Sequence, residues 1–265
     1  MTDVRSLLRF GGDLSAIGTR ATPGVKSRKK AEAAFAAESA ELAELQERVN
    51  AERTRAVVLL LQGMDTCGKD GTVKHVVGQL NPAGMRVTSF KQPSPAELKH
   101  HFLWRIRRAL PGQGYFGIFN RSQYEGVLIV RVHDLAPWEQ RYAEINRFEA
   151  KAGVTWIKCM LHISRDEQRD RLLARLDDPT KIWKFNAGDL AERSRWDDYQ
   201  AAYQDALARC DTDVAPWYVI PADRKWYRNW AIQQLLLETL RELDPQYPKR
   251  EDLDVPALKK QLKAS

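Results

Sequence analysis

The sequence is poor in several features that would decide its class. It has three cysteines, Cys67, Cys159 and Cys210, in 265 residues. They give no framework of pairs and no metal-ligand spacing, which excludes a disulfide-stapled fold and a cysteine-zinc site. No apolar run approaches the roughly 20 residues that a membrane-spanning helix needs. The opening stretch MTDVRSLLRFGGD carries Asp3 and Arg5 and no long apolar core, so it does not read as a signal peptide. Internal repeats and low-complexity segments are also missing. Together these absences lead us to expect a reducing, cytoplasmic setting without membrane attachment.

What is present describes a globular chain. Hydrophobic residues make up 43%, enough for a sizeable core. Lys plus Arg number 42 against 35 Asp plus Glu, a net charge of +7. That excess favours anionic partners, and the plain alternative is a soluble basic protein. Placement of the charges has to decide between them.

Residues 1–50 read as an arm with the basic cluster KSRKK (Lys26–Lys30), followed by an amphipathic helix from Ala31 to Asn50 with Phe35, Leu42, Leu45 and Val49 on one face. Five short apolar runs then alternate with helical segments: Ala56–Gln62, Gly84–Phe90, Tyr115–Asn120, Gly153–Ile163 and Pro216–Ala222. This alternation predicts a five-stranded parallel sheet covered by helices on both faces. Ser164 and Glu167 form a capping box after the fourth run. A last helix after Asp223 carries Ile232, Leu235, Leu236, Leu240 and Leu243 on one face. We place the core at 51–245, a helical lid within it at about 165–205, and a charged tail at 246–265.

The stretch LLLQGMDTCGKDGT (Leu59–Thr72) carries the strongest chemical signal. Gly63, four residues, then Gly68 and Lys69 match the spacing of a phosphate-binding loop between a strand and a helix. Backbone N–H groups and the helix N-terminus favour anions there, and Lys69 adds a full charge. Such loops normally carry Ser or Thr after the lysine to ligate magnesium. Here Asp70 stands in that place, with Gly71 and Thr72 behind it. A carboxylate among phosphate-binding amides is costly unless a cation separates it from the phosphates. We therefore expect Asp65 to organise Mg2+, with Mn2+ as an alternative, while Asp70 either joins the phosphate site or caps the helix.

Strand ends should supply the remaining groups, because ligands of parallel sheets bind at the carboxyl ends of strands. Asn120, Arg121 and Ser122 end the third run. Arg121 is placed to grip a phosphate, and Asn120 to ligate only weakly or through water. Glu125 and Arg131 follow on the next helix. Arg175, Lys181 and Lys184 lie near the bend at Pro179 in the charge-dense Ser164–Tyr199 segment, which suits a mobile lid that brings cations over phosphates. Arg224 and Lys225 start the last helix. Trp183, Trp196 and Trp226 are either base-stacking or buried.

The segments GMDTCGKDGTVKHVV, GIFNRSQYE, DPTKIWKF, RWDDY and PWYVIPADRKWYRN occur in this order. Together they resemble the polyphosphate kinase 2 family, over roughly Ala56 to Leu243. The resemblance implies a P-loop kinase α/β/α three-layer sandwich with a helical lid, similar to thymidylate kinase. It also implies reversible, magnesium-dependent transfer of the terminal phosphoryl group between inorganic polyphosphate and nucleotides, in homodimers or homotetramers. The family loop itself reads Gly-x-Asp-x-x-Gly-Lys-Asp-Gly, so Asp70 is no departure from it. Asp65, Lys69 and Arg121 then carry catalysis, and the other loop and lid residues bind nucleotide or polyphosphate. Members using ADP as main acceptor often have Asp where this chain has Asn120. The Asn form resembles a subgroup that phosphorylates both AMP and ADP, with other purine nucleotides as alternatives.

Three rivals stand beside this reading: an ATP-dependent nucleoside monophosphate kinase of the thymidylate-kinase type, a nucleic-acid-binding protein, and a polyphosphate binder without catalysis. No nucleic-acid-binding module is present, and we expect no nucleic-acid partner. Cys67, at a helix N-terminus beside Lys69, is further expected to ionise readily and to make the protein sensitive to peroxide, with a packed, inert thiol as the alternative.

Overall fold

The computed structural model describes residues 3–265. Five parallel strands form one sheet: β1 (Val57–Gln62), β2 (Met85–Ser89), β3 (Phe116–Asn120), β4 (Thr155–His162) and β5 (Trp217–Pro221), in the order β2-β3-β1-β4-β5. All five apolar runs thus become strands. Strand β1 lies at the centre and every residue in it is buried, which explains its unbroken apolar sequence. The chain reverses strand order on either side of β1, so the crevice beyond its carboxyl end is where a ligand is expected.

The helices are α1 (Val4–Leu8), α2 (Arg28–Ala37), α3 (Ser39–Glu52), α4 (Lys69–His75), α5 (Trp104–Ala109), α6 (Glu125–Val132), α7 (Arg141–Lys151), α8 (Arg165–Leu176), α9 (Gly188–Ser194), α10 (Trp196–Cys210), α11 (Lys225–Leu243) and α12 (Val255–Ala264). No described helix is long and apolar enough to cross a membrane. The leading amphipathic segment is two helices. At the joint, the Ser39 hydroxyl donates to the Phe35 carbonyl at 2.6 Å, a back-bond that bends helices. Leu42, Leu45 and Val49 are buried as expected. In α11, Ile232, Leu235, Leu236 and Leu240 are fully buried. Helix α12 was not foreseen. Asp254 caps it through the Ala257 N–H, and all its residues are exposed.

The arm is woven into this core. The Phe10 N–H donates to the Trp217 carbonyl at 2.9 Å, and Arg9 bridges Tyr218, so residues 9–10 cover part of the free edge of β5. Val4, Leu8, Phe10 and Leu14 are buried. Further along, Thr19 donates its hydroxyl to Asp223 at 2.8 Å, and the Tyr227 hydroxyl donates to the Pro23 carbonyl at 2.9 Å.

His162 ends β4 beneath this arm, beside Asp223 and the backbone of Ile17. Burial lowers its pKa from the ordinary 6.5 and outweighs the opposing pull of Asp223. The folded ring stays neutral while the unfolded chain takes up a proton below about 6.5. The unfolded state then binds more protons, so stability falls as pH drops through 6.5, until the folded ring also protonates. Melting curves between pH 8 and pH 5, values that bracket the unfolded pKa, should show this loss in the wild type and a shallower one in His162→Gln. Parallel curves would reject His162 as a source.

Candidate active site

The glycine loop is shaped by close contacts. Gly63 adopts φ +148°, and a Cβ there would lie 2.7 Å from the Leu161 carbonyl. Gly68 adopts φ +112°, and its missing Cβ makes room for the Arg228 guanidinium. Thr66, between them, also takes a left-handed conformation at φ +65°. Only glycine meets the demands at 63 and 68 without strain. Lys69 opens α4 and folds back, donating from Nζ to the carbonyls of Gly63 at 2.7 Å and Met64 at 3.2 Å. Its charge is therefore stored on the loop itself.

Asp65 and Arg121 meet across this loop at 2.6 Å. Burial pushes the Asp65 carboxyl up, but Lys69, Arg121 and Arg175 together hold it below its ordinary value. Arg121 sits at φ +68°, and its N–H donates to the Leu61 carbonyl at 3.0 Å. Strained backbone of this kind persists where the surroundings enforce it. Here the enforcement is visible. Ser122 donates its hydroxyl to Gln62 Oε1 at 3.0 Å, and Gln62 donates from Nε2 to Glu125 at 2.6 Å. Burial lowers the Arg121 pKa, but the flanking Glu125 and Asp65 overcome it and raise the value. Asn120 donates to Asp70 Oδ1 at 2.8 Å. Asp70 does not cap α4; its carboxylate is turned toward the end of β3.

A cavity of about 480 Å³ opens over the loop, with Gly68 and Gly71 in one wall. Arg175, Lys181, Lys225 and Arg228 face it from α8, the segment after it, and α11. Arg228 is 3% exposed and lacks a carboxylate partner, bonding only Asn229 Oδ1. Burial, and then the nearby Arg171, push its pKa down to about 10. A buried cation without a counter-charge is costly, and a bound anion would offset that cost.

Several expected residues lie elsewhere. Arg131 pairs with Asp205 at 2.5 Å and stacks 4.6 Å from the Trp138 ring centroid, tying α6 to α10. Lys184 sits over the exposed Trp183 ring, outside the cavity wall. Arg224 is exposed ahead of the first turn of α11 and does not line the cavity. Thr72 is fully buried with an unpartnered hydroxyl. Of the three tryptophans named from sequence, Trp226 alone lines the cavity; Trp196 is buried. Cys67 lies 3.5 Å from Lys69 Nζ but is fully buried. Full burial favours the packed, inert thiol over the peroxide-sensitive one.

Sequence reasoning named Arg175 on α8 but missed Gln168 and Arg171, which share its polar stripe. Gln168 donates to the Asp65 carbonyl at 3.2 Å. Arg171 donates to the carbonyls of Thr66, Cys67, Ala222 and Asp223, clamping the loop to the end of β5. Arg175 completes the stripe at helical spacing. Positions 168, 171 and 175 on a helix that starts at a strand's carboxyl end were the available signal.

Comparison with known proteins bears on this geometry. A family model described as Polyphosphate kinase 2 matches residues 25–248. The chain is 50% identical over 212 residues to an AMP/ADP-polyphosphate phosphotransferase from Meiothermus ruber, covering 78% of this chain and 79% of that protein. It is 41% identical over 268 residues to an ADP-polyphosphate phosphotransferase from Rhodopseudomonas palustris, covering 94% and 91%. A crystal structure of polyphosphate kinase 2 from Arthrobacter aurescens TC1 superposes with a TM-score of 0.96 at 46% identity, covering 100% of this chain and 98% of that one.

Proposed function

The chain belongs to the polyphosphate kinase 2 family, and from that premise we propose that it transfers the terminal phosphoryl group of inorganic polyphosphate to AMP and ADP, giving ADP and ATP, and runs the reverse reaction. The observation that carries this reading is Arg228, a buried cation without a carboxylate, in a cavity walled by further cations beside the glycine loop. A polyanionic donor supplies the missing counter-charge. The ATP-dependent monophosphate kinase is not favoured, since the relatives are named for polyphosphate. A homodimeric or homotetrameric assembly is carried by the family resemblance, and a cytoplasmic location by the three unpaired cysteines.

The nucleophile is an oxygen of the acceptor's terminal phosphate, already largely ionised at neutral pH. It forms a new P–O bond as the terminal phosphoanhydride of the chain breaks, and the shortened chain leaves with the bonding pair. No strong base is needed; alignment and charge neutralisation are. Lys69 leaves the loop carbonyls for the transferring group, and Arg121 flanks it. Arg175, Lys181, Lys225 and Arg228 hold the chain along its oxygens without reading a sequence. Asp65 uses one oxygen for Arg121, and Asp70 is oriented by Asn120.

These residues suit Mg2+, which binds through one or two carboxylates plus substrate phosphates and keeps several waters. Among the described residues no cluster of three or more His, Cys, Asp or Glu is placed to hold a metal ion. Bound there, Mg2+ supplies further charge neutralisation.

The test is an acceptor assay with magnesium and long-chain polyphosphate, with AMP and ADP supplied separately. ADP followed by ATP from AMP supports the reading. ATP from ADP alone removes AMP from it. Transfer to AMP from ATP but never from polyphosphate overturns it.

A further inference from the structure

The cavity over the glycine loop has a wall that the known chemistry does not account for. Arg28 and Glu32, from the first two turns of α2, line it together with Gly68, Arg175 and Arg228. We infer that Arg28 is an outer subsite for the polyphosphate chain, engaged by long donors and out of reach of short ones, with Glu32 as its resting partner. This deepens the polyphosphate-donor reading and rests on it.

The start of α2, which carries Arg28, is anchored. The Tyr227 hydroxyl holds the Pro23 carbonyl at 2.9 Å, and a Cβ on Gly24 would come within 3.0 Å of the Trp230 ring. Ser27 caps α2 through the Lys30 N–H, and Gln233 donates to the Phe35 carbonyl at 2.9 Å. Tyr227, Trp230 and Gln233 all belong to α11, which also carries Lys225 and Arg228. One scaffold therefore presents the inner and the outer cations.

The chemistry fits a polyanion. The first turn of α2 holds no acidic residue, so its N-terminal partial charge adds to Arg28. Arg28 donates to Glu32 at 2.8 Å, and their side chains are 70% and 53% exposed. An exposed pair of this kind is weak, so a phosphate oxygen can displace the carboxylate. The buried Arg228 shows independently that the cavity is built for an anion. Helix geometry separates Arg28 from its neighbours. At about 100° per residue, Glu32 lies near Arg28, while Lys30 leaves from the opposite flank of the core-facing side marked by Ala31. Position, and not net charge, then distinguishes the two cations.

Three variants test this: Arg28→Ala, Glu32→Gln and Lys30→Ala. The readouts are kcat and KM with long-chain polyphosphate and ADP, and the inhibition constant of tripolyphosphate competing with the long chain. Arg28→Ala should raise the long-chain KM roughly threefold at low salt, leaving kcat, the ADP KM and tripolyphosphate inhibition unchanged. Glu32→Gln should lower the long-chain KM. Lys30→Ala should match wild type. Equal effects of Arg28→Ala and Lys30→Ala would reduce the effect to bulk charge and overturn the subsite. So would an unchanged long-chain KM in Arg28→Ala, or an equal weakening of tripolyphosphate. Wild-type protein without turnover on polyphosphate would overturn the functional reading itself, a result distinct from the loss of the subsite alone.

Discussion

Lys69→Ala is expected to lower kcat about a hundred- to a thousandfold with little change in melting temperature, the loss typical when one donor aimed at developing charge is removed. The reason is electrostatic. Two polyanions must meet head-on, and Lys69 is the cation that the loop holds in reserve, 2.7 Å from the Gly63 carbonyl. Its bonds to two carbonyls are easily replaced by water once the side chain is gone, so folding survives. Lys69→Arg should not rescue, because a planar fork does not fit where a compact ammonium folds back on the loop. Asp65→Asn should lose turnover on a similar scale by a different route. It keeps the shape but removes the charge that faces Arg121 at 2.6 Å. Steady-state kinetics paired with thermal melts decides both. Near-normal turnover in either folded variant would remove that residue from the catalytic set.

The legible parts of this molecule are those whose cause is local. Strands β1 and β4 are buried along nearly their whole length, so their sequences are almost uninterrupted apolar runs and stand out. The loop was legible because Gly63, Gly68 and Lys69 fall within seven residues and both glycines take positive φ, a local backbone demand, although Leu161 and Arg228 crowd the same positions from across the fold. Asp65, Lys69, Asp70, Asn120, Arg121 and Glu125 all converge there, since strand ends of a parallel sheet deliver their next residues to one crevice. What failed was anything set by packing across the fold. Arg131 lies six residues along α6 from Glu125, about 9 Å at helical rise, and nothing local announces Asp205 as its partner. Arg224 and Arg228 look alike in PADRKWYRN. Only the docking of α11 buries the second against Gly68 and leaves the first in solvent. The anchoring of the arm was not legible because its partners, Asp223, Trp217 and Tyr227, lie about two hundred residues away.

Lys158 interrupts the apolar middle of β4, and it supports the second large prediction. Lys158 is fully buried, and its three donors are all used: Glu149 at 2.7 Å, the Tyr124 hydroxyl at 2.8 Å and the Cys210 carbonyl at 2.8 Å. Glu149 in turn accepts from Gln123 at 2.7 Å and from Tyr124 at 2.9 Å. The pair thus joins β4, α7, the end of α10 and the residues that follow the strained Arg121. Burial pushes the Lys158 pKa down and Glu149 opposes it. Glu149→Gln removes the opposing charge and leaves an ammonium without a counter-ion. The expected cost is about 3–5 kcal/mol, or a fall of about 10 °C in melting temperature for a chain of this size. The pH dependence identifies the cause. In the variant the folded state sheds the Lys158 proton while the unfolded chain keeps it up to its ordinary value of 10.5. The unfolded state binds more protons, so the variant gains stability relative to wild type as pH rises from neutral toward that value. The double replacement Glu149→Leu with Lys158→Met should recover much of the loss, since an apolar pair of similar volume leaves nothing charged behind. A single variant that melts like wild type, or one whose deficit does not shrink with pH, would show that this buried pair does not carry the stability assigned to it.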